Sequence, residues 1–79
     1  MDVYPNPSNG AITVSMNFNK ATDVQVSVFN ALGQIVYSAI QSVSGDFKMP
    51  IILNEKGMYF VTIVDLNSNL NITKKIVVQ

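Results

Sequence analysis

Apolar and polar residues alternate one by one along most of this chain. In the segments Ile12–Phe18 and Val24–Val28 every second residue is Ile, Val, Met or Phe. A period of two gives a β-strand one apolar face, and no stretch longer than a turn has the 3.6-residue period of a helix with good helix formers. The pattern therefore predicts an all-β fold.

The alternation divides into about seven predicted strands. Turn signals separate them at intervals of about 8–12 residues, which is typical of sandwiches and barrels. Each strand has one apolar face that a second sheet must cover, so an antiparallel β-sandwich is favoured. The predicted strands are Val3–Tyr4, Ile12–Phe18, Val24–Val28, Ile35–Ile40, one within Phe47–Leu53, Met58–Asp65 and approximately Asn71–Val78.

The size and composition of the chain limit its functions. Its 79 residues predict one domain spanning 1–79, and 48% hydrophobic residues suffice for a core. Cysteine is absent, which excludes disulfides and thiolate metal sites. Five basic residues balance five acidic ones, and Lys74-Lys75 is the only basic pair. This charge is too small for nucleic-acid binding.

Membrane anchors and export leaders are not recognisable in the sequence. The longest apolar stretch, Met49–Leu53, is far shorter than the about 20 residues that span a membrane, so no membrane insertion is expected. The first residues lack the basic start and the apolar run of a signal peptide. In an exported protein we expect the signal on a preceding N-terminal part, with Met1 as an added start residue.

Four short motifs lie between or at the ends of the predicted strands. They are Tyr4-Pro5-Asn6-Pro7-Ser8-Asn9-Gly10, Leu32-Gly33-Gln34, Gly57-Met58-Tyr59-Phe60-Val61 and Thr73-Lys74-Lys75-Ile76-Val77-Val78-Gln79. We refer to them as the opening, middle and late motifs and the tail.

Each motif carries local conformational information. The two prolines of the opening motif lack amide donors and restrict this segment to a sheet edge. Gly10 and Gly33 are expected at turn positions with positive φ. Leu32 is unusual in a turn, so we expect it to fold back over an open end of the core. Tyr59 either forms a tyrosine corner, with its hydroxyl bonded to backbone near Leu53–Glu55, or simply packs inward.

In their order and spacing the four motifs resemble the type A C-terminal sorting domain of the type IX (Por) secretion system. The resemblance covers the chain from Tyr4 to Gln79 and implies a seven-stranded immunoglobulin-like sandwich. It implies that the domain is fused to the C-terminus of a cargo protein, which passes through the periplasm and crosses the outer membrane through the type IX translocon. A sortase-like peptidase then typically removes the domain, and the cargo reaches the cell surface or the extracellular space.

The resemblance also assigns residues to the sorting motifs. It implies that most of them preserve the fold, that the last strand and tail are recognised, and that the cut site lies at or before Tyr4. The assigned residues are Tyr4, Pro5, Asn6, Pro7 and Gly10, then Leu32 and Gly33, then Gly57, Tyr59 and Val61, and finally Lys74, Lys75, Ile76 and Val77.

The residue types argue against an enzyme and against a cofactor. The serines have no histidine to act as a base, and no two acids are placed by a motif as an acid–base pair. Asp65–Asn71 begins like a calcium loop, but Leu70 and Ile76 stand where glycine and glutamate are required. A hairpin turn is the favoured interpretation, and no metal is expected.

Phe29 and Phe60 alternate out of phase with the apolar residues of their strands. If those residues face inward, both phenylalanines point outward or lie at a sheet rim. An exposed aromatic pair would mark a contact surface for a partner or a second copy. The alternative is that a neighbouring loop covers them.

Two classes of partner remain open from the sequence. An unpaired sheet edge could bind translocon components by strand addition, or pair two copies into a homodimer. An accessory sandwich module for carbohydrate binding or adhesion would instead need stacking aromatic residues. The chain has no tryptophan, and Tyr4 and Tyr59 have structural interpretations, so this alternative depends on Tyr37 lying in an exposed coplanar pair.

Overall fold

The computed structural model describes residues 1–79 and contains five β-strands and no helix. All strand pairs are antiparallel, in the order β1-β2-β4-β5, and β3 pairs with the other side of β2. The all-β prediction is thus confirmed. No helix is present that is long and apolar enough to cross a membrane. The strands are β1 (Asp2–Tyr4), β2 (Ala11–Asn30), β3 (Ile35–Ile52), β4 (Gly57–Asp65) and β5 (Asn71–Val78).

The structure has five strands where about seven were predicted. The predicted strands Ile12–Phe18 and Val24–Val28 are two parts of β2, and the two predicted strands between Ile35 and Leu53 fall in β3. The polar segment Asn19–Thr22 does not end β2, because even-numbered residues face the core both before and after it. The polar residues therefore mark a bend in a continuous strand.

The bend lies at a register shift in the β2–β3 hairpin. Phe18 pairs with Gly45 and Thr22 pairs with Val43, so three residues of β2 oppose one residue of β3. A bulge of this kind bends the strand that carries the extra residues. A straight strand of 20 residues would extend about 66 Å at about 3.3 Å per residue, whereas the longest dimension of the molecule is 35 Å. The hairpin is therefore folded over, and the sheet is curled.

The hydrophobic core fills the inside of the curled sheet. Ile12, Val14 and Met49 come from one half of the hairpin, and Val24 and Val26 come from the other. Burying a side chain of this size contributes about 1.5–3 kcal/mol each. The remaining members of the core are Phe18, Val28, Val43, Ile51, Leu53, Tyr59, Val61, Ile63, Ile76 and Val78.

A candidate recognition surface where four motifs meet

The four sequence motifs meet at one end of the curled sheet. The end of β2 pairs with the start of β4, since Asn30 lies opposite Tyr59. The start of β4 pairs with the end of β5, since Gly57 lies opposite Val78, and Val78 in turn pairs with Ser8 of the opening motif. The term motif end is used below for residues Asn6–Gly10, Asn30–Gln34, Gly57–Tyr59 and Lys75–Gln79.

The side chain of Asn6 joins the opening motif to the tail. Its amide nitrogen donates to the carbonyl of Lys75 at 3.3 Å, and its amide oxygen accepts from the N–H of Val77 at 3.1 Å. An asparagine side chain offers a donor and an acceptor, like a peptide group. Asn6 therefore occupies a place at the edge of β5 that a neighbouring strand would otherwise take.

Backbone hydrogen bonds of Ser8 continue this connection. The N–H of Ser8 donates to the carbonyl of Val77 at 2.9 Å, and the N–H of Gln79 donates to the carbonyl of Ser8 at 2.8 Å. Ser8 is buried, and its hydroxyl donates to the carbonyl of Ala11 and accepts from the N–H of Gly10. The first and last ten residues are therefore tied together on both sides of Pro7.

Gly10 is required by its contact with the end of β3. Its φ is +118°, as expected, and its carbonyl accepts from the N–H of Leu53 at 2.8 Å. A Cβ at this position would lie 2.7 Å from the carbonyl oxygen of Leu53. A larger residue would thus meet backbone as well as an unfavourable φ.

The middle motif is shaped mainly by Asn30. Its side-chain oxygen accepts from the N–H groups of Leu32 and Gln34, both at 3.0 Å, and its side-chain nitrogen donates to Gln34 Oε1 at 2.9 Å. Gly33 has a φ of +82°, which confirms its predicted left-handed position. The expectation for Leu32 was wrong, because its side chain is 83% exposed and does not cover the core. The side chain of Asn30 accepts hydrogen bonds from the backbone N–H groups of the turn, so the turn forms without packing of the Leu32 side chain, which remains in solvent.

The tyrosine corner is confirmed in the late motif. The Tyr59 hydroxyl donates to the carbonyl of Glu55 at 2.6 Å, and the ring is buried. Val61 and Ile76 are fully buried beside it, and their assigned positions therefore serve packing. Lys74 and Lys75 are exposed on β5.

The family follows from a comparison that spans these motifs. The model of the secretion system C-terminal sorting domain matches residues 2–79, which is nearly the whole chain. The chain belongs to this family. The predicted resemblance to a type IX sorting domain is thus confirmed. No curated protein and no solved structure has detectable similarity to the chain.

Exposed apolar side chains of this sorting domain concentrate at and beside the motif end. Met58 and Val77 lie opposite each other on β4 and β5, and both are exposed. Val36 and Ile52, at the two ends of β3, line a cleft of about 370 Å³ whose wall includes Tyr59. With Leu32 and Ile35 they form a set of six exposed apolar side chains. A cluster of this kind is a common mark of an interaction site.

Phe29 and Phe60 lie on the outer face of the sorting domain and occupy directly opposed positions on β2 and β4. Both are half-buried rather than exposed. Their neighbours in the register are Ile35 on β3 and Lys75 on β5. The two rings are therefore only partly available to a partner. Their role as a contact surface stays a prediction.

The Asp65–Asn71 segment forms the turn between β4 and β5, as favoured from the sequence. Thr22 Oγ1 donates to Asp65 Oδ1 at 2.6 Å, and the N–H of Asn67 donates to the same oxygen at 2.9 Å. These hydrogen bonds, that of Thr22 first, lower the pKa of Asp65 below its usual value. The carboxylate is used to hold the turn.

Tyr37 does not lie in an exposed aromatic pair. It is half-buried and packs against the core of the sorting domain, and its hydroxyl lies 3.8 Å from the Met49 sulfur. The rings that meet edge to face are those of Phe18 and Phe47, with centroids 6.2 Å apart, and Tyr37 is in neither this contact nor the Phe29–Phe60 pair. The feature that the carbohydrate-binding alternative required is therefore missing.

Sequence reasoning missed the roles of Asn6, Ser8 and Asn30. Asn6 was included in the opening motif, but no role was predicted for its side chain. No role was predicted for the side chains of Ser8 and Asn30. The available signal was chemical, because Asn and Ser side chains often bond to nearby or opposing backbone where the chain turns. For Asn6 the partner lies 69 residues away in sequence, so no local pattern identifies it.

Proposed function

We propose that this sorting domain directs a covalently attached cargo protein through the type IX secretion system, with the motif end as the recognised surface. The family match over residues 2–79 supports a type IX sorting signal and export toward the cell surface or extracellular space. The observation that carries the proposal for the surface is the convergence of all four motifs at one end.

The chemistry of the motif end suits recognition by a protein. It offers exposed apolar side chains, above all Leu32, Met58 and Val77, next to the cationic Lys75. Apolar side chains surrounded by a few charged residues are typical of protein interfaces, where large side chains supply most of the binding energy. The domain itself is non-catalytic in this proposal and needs no cofactor.

The finer steps of the proposal follow the family resemblance. The cargo passes through the periplasm, the translocon carries it across the outer membrane, and a sortase-like peptidase removes the domain at or before Tyr4. The ties between Asn6, Ser8 and the tail support a cut at this place, because cleavage before Tyr4 would release the motif end intact.

A transplant experiment tests the sorting function. Residues 1–79 are fused to the C-terminus of a periplasmic fluorescent reporter, in a bacterium with a working type IX system and in a matched translocon mutant. We expect reporter outside the wild-type cells, reduced in mass by the removed domain, and reporter trapped in the periplasm of the mutant. Retention in both strains with a folded domain would argue against the proposal, and secretion at full mass would argue against cleavage.

A pair of matched variants tests the motif end as the recognised surface. Leu32→Asp changes an exposed leucine of the middle motif, and Leu66→Asp changes an exposed leucine in the β4–β5 turn at the other end. We expect the first variant to reduce secretion of the reporter and the second to leave it unchanged, with both domains folded. Equal secretion would assign recognition to another surface.

A third variant, Phe60→Ala, tests the aromatic pair beside the motif end. The contact interpretation requires that this variant stays folded but is no longer secreted. Secretion at the normal level would show that the Phe29–Phe60 position serves packing only.

A further inference from the structure

Asn9 is followed by Gly10, and this pair occurs once in the chain. None of the other eight asparagines precedes a glycine. An asparagine side chain can react with the backbone nitrogen of the next residue, and glycine leaves this approach open because it has no Cβ. Hyperthermophilic proteins contain fewer asparagines, since the residue is thermolabile. In the unfolded chain Asn9 is therefore the asparagine whose reaction is least hindered.

The reaction closes a ring within the main chain. The backbone nitrogen of Gly10 loses its proton to hydroxide and attacks Cγ of Asn9. A bond between these two atoms forms, the bond from Cγ to the side-chain nitrogen breaks, and that nitrogen takes up a proton and leaves as ammonia. Water then opens the succinimide at one of its two carbonyl groups. The product is aspartate, or isoaspartate, in which the main chain contains an additional CH2 group.

The folded domain withholds the attacking nitrogen. Gly10 is buried, and its N–H donates to Ser8 Oγ at 2.9 Å. The reaction removes the proton of this N–H, so it must break the hydrogen bond and admit hydroxide to a buried group. The Ser8 hydroxyl is fixed in turn, because it donates to the carbonyl of Ala11 at 3.0 Å. The side chain of Asn9 is exposed, so the protection acts on the nitrogen of the next residue.

Contacts with distant segments hold the Asn9–Gly10 peptide in this arrangement. The N–H and the carbonyl of Ser8 both bond to the tail, and the carbonyl of Gly10 accepts from the N–H of Leu53 at 2.8 Å. The nitrogen therefore becomes available only when the opening motif separates from the tail and from Leu53. The rate of a reaction that requires such opening follows the population of the open form.

We propose that Asn9 is a site of spontaneous deamidation that the Ser8 hydroxyl and the burial of Gly10 keep unreactive in the folded domain. Isoaspartate at this position prevents the motif end from forming. The extra main-chain atom lies next to Gly10, whose Cβ position is already only 2.7 Å from the carbonyl oxygen of Leu53. A domain that stays unfolded is thus altered chemically, whereas a folded one is protected. This inference goes beyond the proposed sorting function and does not depend on it.

Peptide mass spectrometry of the 79-residue chain measures the reaction, because conversion of the amide to an acid changes the mass of the peptide. Samples are kept at mildly alkaline pH, either folded in buffer or unfolded in denaturant. We expect conversion at Asn9 to be at least about tenfold slower in the folded chain. Equal rates in the two states would overturn the protection, and faster conversion at another asparagine of the unfolded chain would overturn the choice of site.

Ser8→Ala tests the hydroxyl, since it removes the acceptor and leaves Asn9 and Gly10 in place. We expect the folded variant to react at least about fivefold faster than the folded wild type, and at the wild-type rate when unfolded. Thermal unfolding verifies that the variant is folded, and Ser8→Cys, which has a weaker acceptor, replaces it if it is not. An unchanged rate in the folded variant would overturn the role of Ser8.

Thr22→Val is the control for overall stability. It removes a hydroxyl hydrogen bond to Asp65 at the bend of β2, far from the opening motif. The rate at Asn9 should stay at the wild-type value in this variant. Acceleration equal to that in Ser8→Ala would show that any loss of stability exposes Asn9, and would overturn local protection.

Asn9→Asp separates the new charge from the longer main chain. The Asn9 side chain makes a single bond of 3.3 Å, to the N–H of Ala11, so we expect this variant to fold like the wild type. The isoaspartyl chain, formed in denaturant and returned to buffer, should show faster amide exchange at Leu53 and Gln79, whose N–H groups bond to the opening motif. Exchange as slow as in Asn9→Asp would overturn the effect on the motif end.

Discussion

The motif end and the opposite end of the curled sheet are built by different means. The opposite end contains the bend at Phe18–Thr22 and the turn after Asp65, and its surface is mostly polar. Asp65 and its hydroxyl and amide donors hold it together. The motif end instead depends on backbone groups, on glycine conformation and on asparagine side chains that take the place of backbone.

This difference shows where a sorting domain can accept sequence change. A polar turn tolerates many residues at positions whose side chains face water. The bond between Thr22 and Asp65 is the exception at this end, because it joins two distant segments. The motif end constrains particular positions, since Gly10 and Gly33 have positive φ and the side chains of Asn6 and Asn30 bond to backbone. A short motif can therefore be required by the fold and still lie on the surface that a partner contacts.

The largest effect is expected from Gly10→Ala. The added Cβ meets the Leu53 carbonyl at a positive φ, so we expect a loss of about 3 kcal/mol in the free energy of unfolding. Chemical denaturation measures it. Gly33→Ala is the control, because no atom lies within 4 Å of its Cβ position and only the strain of φ remains, about 1 kcal/mol. Equal losses in the two variants would show that the Leu53 contact is unimportant.

Tyr59→Phe should have the next largest effect. The variant keeps the buried ring but leaves the Glu55 carbonyl without its donor, at a cost of about 1–2 kcal/mol. Tyr37→Phe serves as comparison, since its hydroxyl makes only a 3.8 Å contact with sulfur. Thermal unfolding of both variants tests the difference, and an unchanged Tyr59→Phe would mean that the corner does not stabilise the domain.

Asn6→Ala should loosen the link between the opening motif and the tail. Two exposed hydrogen bonds to β5 are lost, and we expect about 1 kcal/mol of destabilisation together with faster amide exchange at Val77. Asn9→Ala removes a single weak bond to Ala11 and is the control. Unchanged exchange at Val77 in Asn6→Ala would contradict the role assigned to Asn6.

The smallest effect concerns the opposite end and depends on pH. Thr22→Val removes the hydroxyl that lowers the pKa of Asp65. A lowered carboxyl pKa contributes stability that is present above the unfolded pKa, near about 4, and is lost as the pH falls through the folded value. The destabilisation by Thr22→Val should therefore be larger at pH 7 than at pH 2–3. Thr62→Val, which removes only a hydroxyl pair with Thr73, should show no such dependence.

Much of the fold could be predicted from the sequence because alternation determines which face of each strand is buried. Val24, Val26 and Val28 are all fully buried, as their spacing indicated. The number of strands could not be predicted, because Asn19-Lys20 reads as a turn although the even-numbered positions continue across it. The bend results from packing both halves of the hairpin around one core, which is a property of the whole chain.

In the candidate site, too, features that depend on nearby residues could be predicted from the sequence, and features that depend on distant segments could not. Gly33 acts through its own backbone and Tyr59 through a partner four residues away, so local rules identified both. Local rules also gave the positive φ of Gly10, but not its contact with the distant Leu53. The contact of Asn6 with Lys75 and the exposure of Leu32 depend on where distant segments lie. The motifs therefore predicted local conformation, whereas contacts between distant segments could not be predicted from them.

The pairing of Asn6 and Ser8 with the tail also has a kinetic consequence. These contacts join segments about 70 residues apart, and closing so long a loop costs entropy until the intervening strands have formed. The tail is therefore secured only after the hairpin and β4 are in place. A receptor that contacts Asn6 and β5 together finds its complete binding surface only on a folded domain. Recognition at this place would therefore select folded domains over unfolded ones.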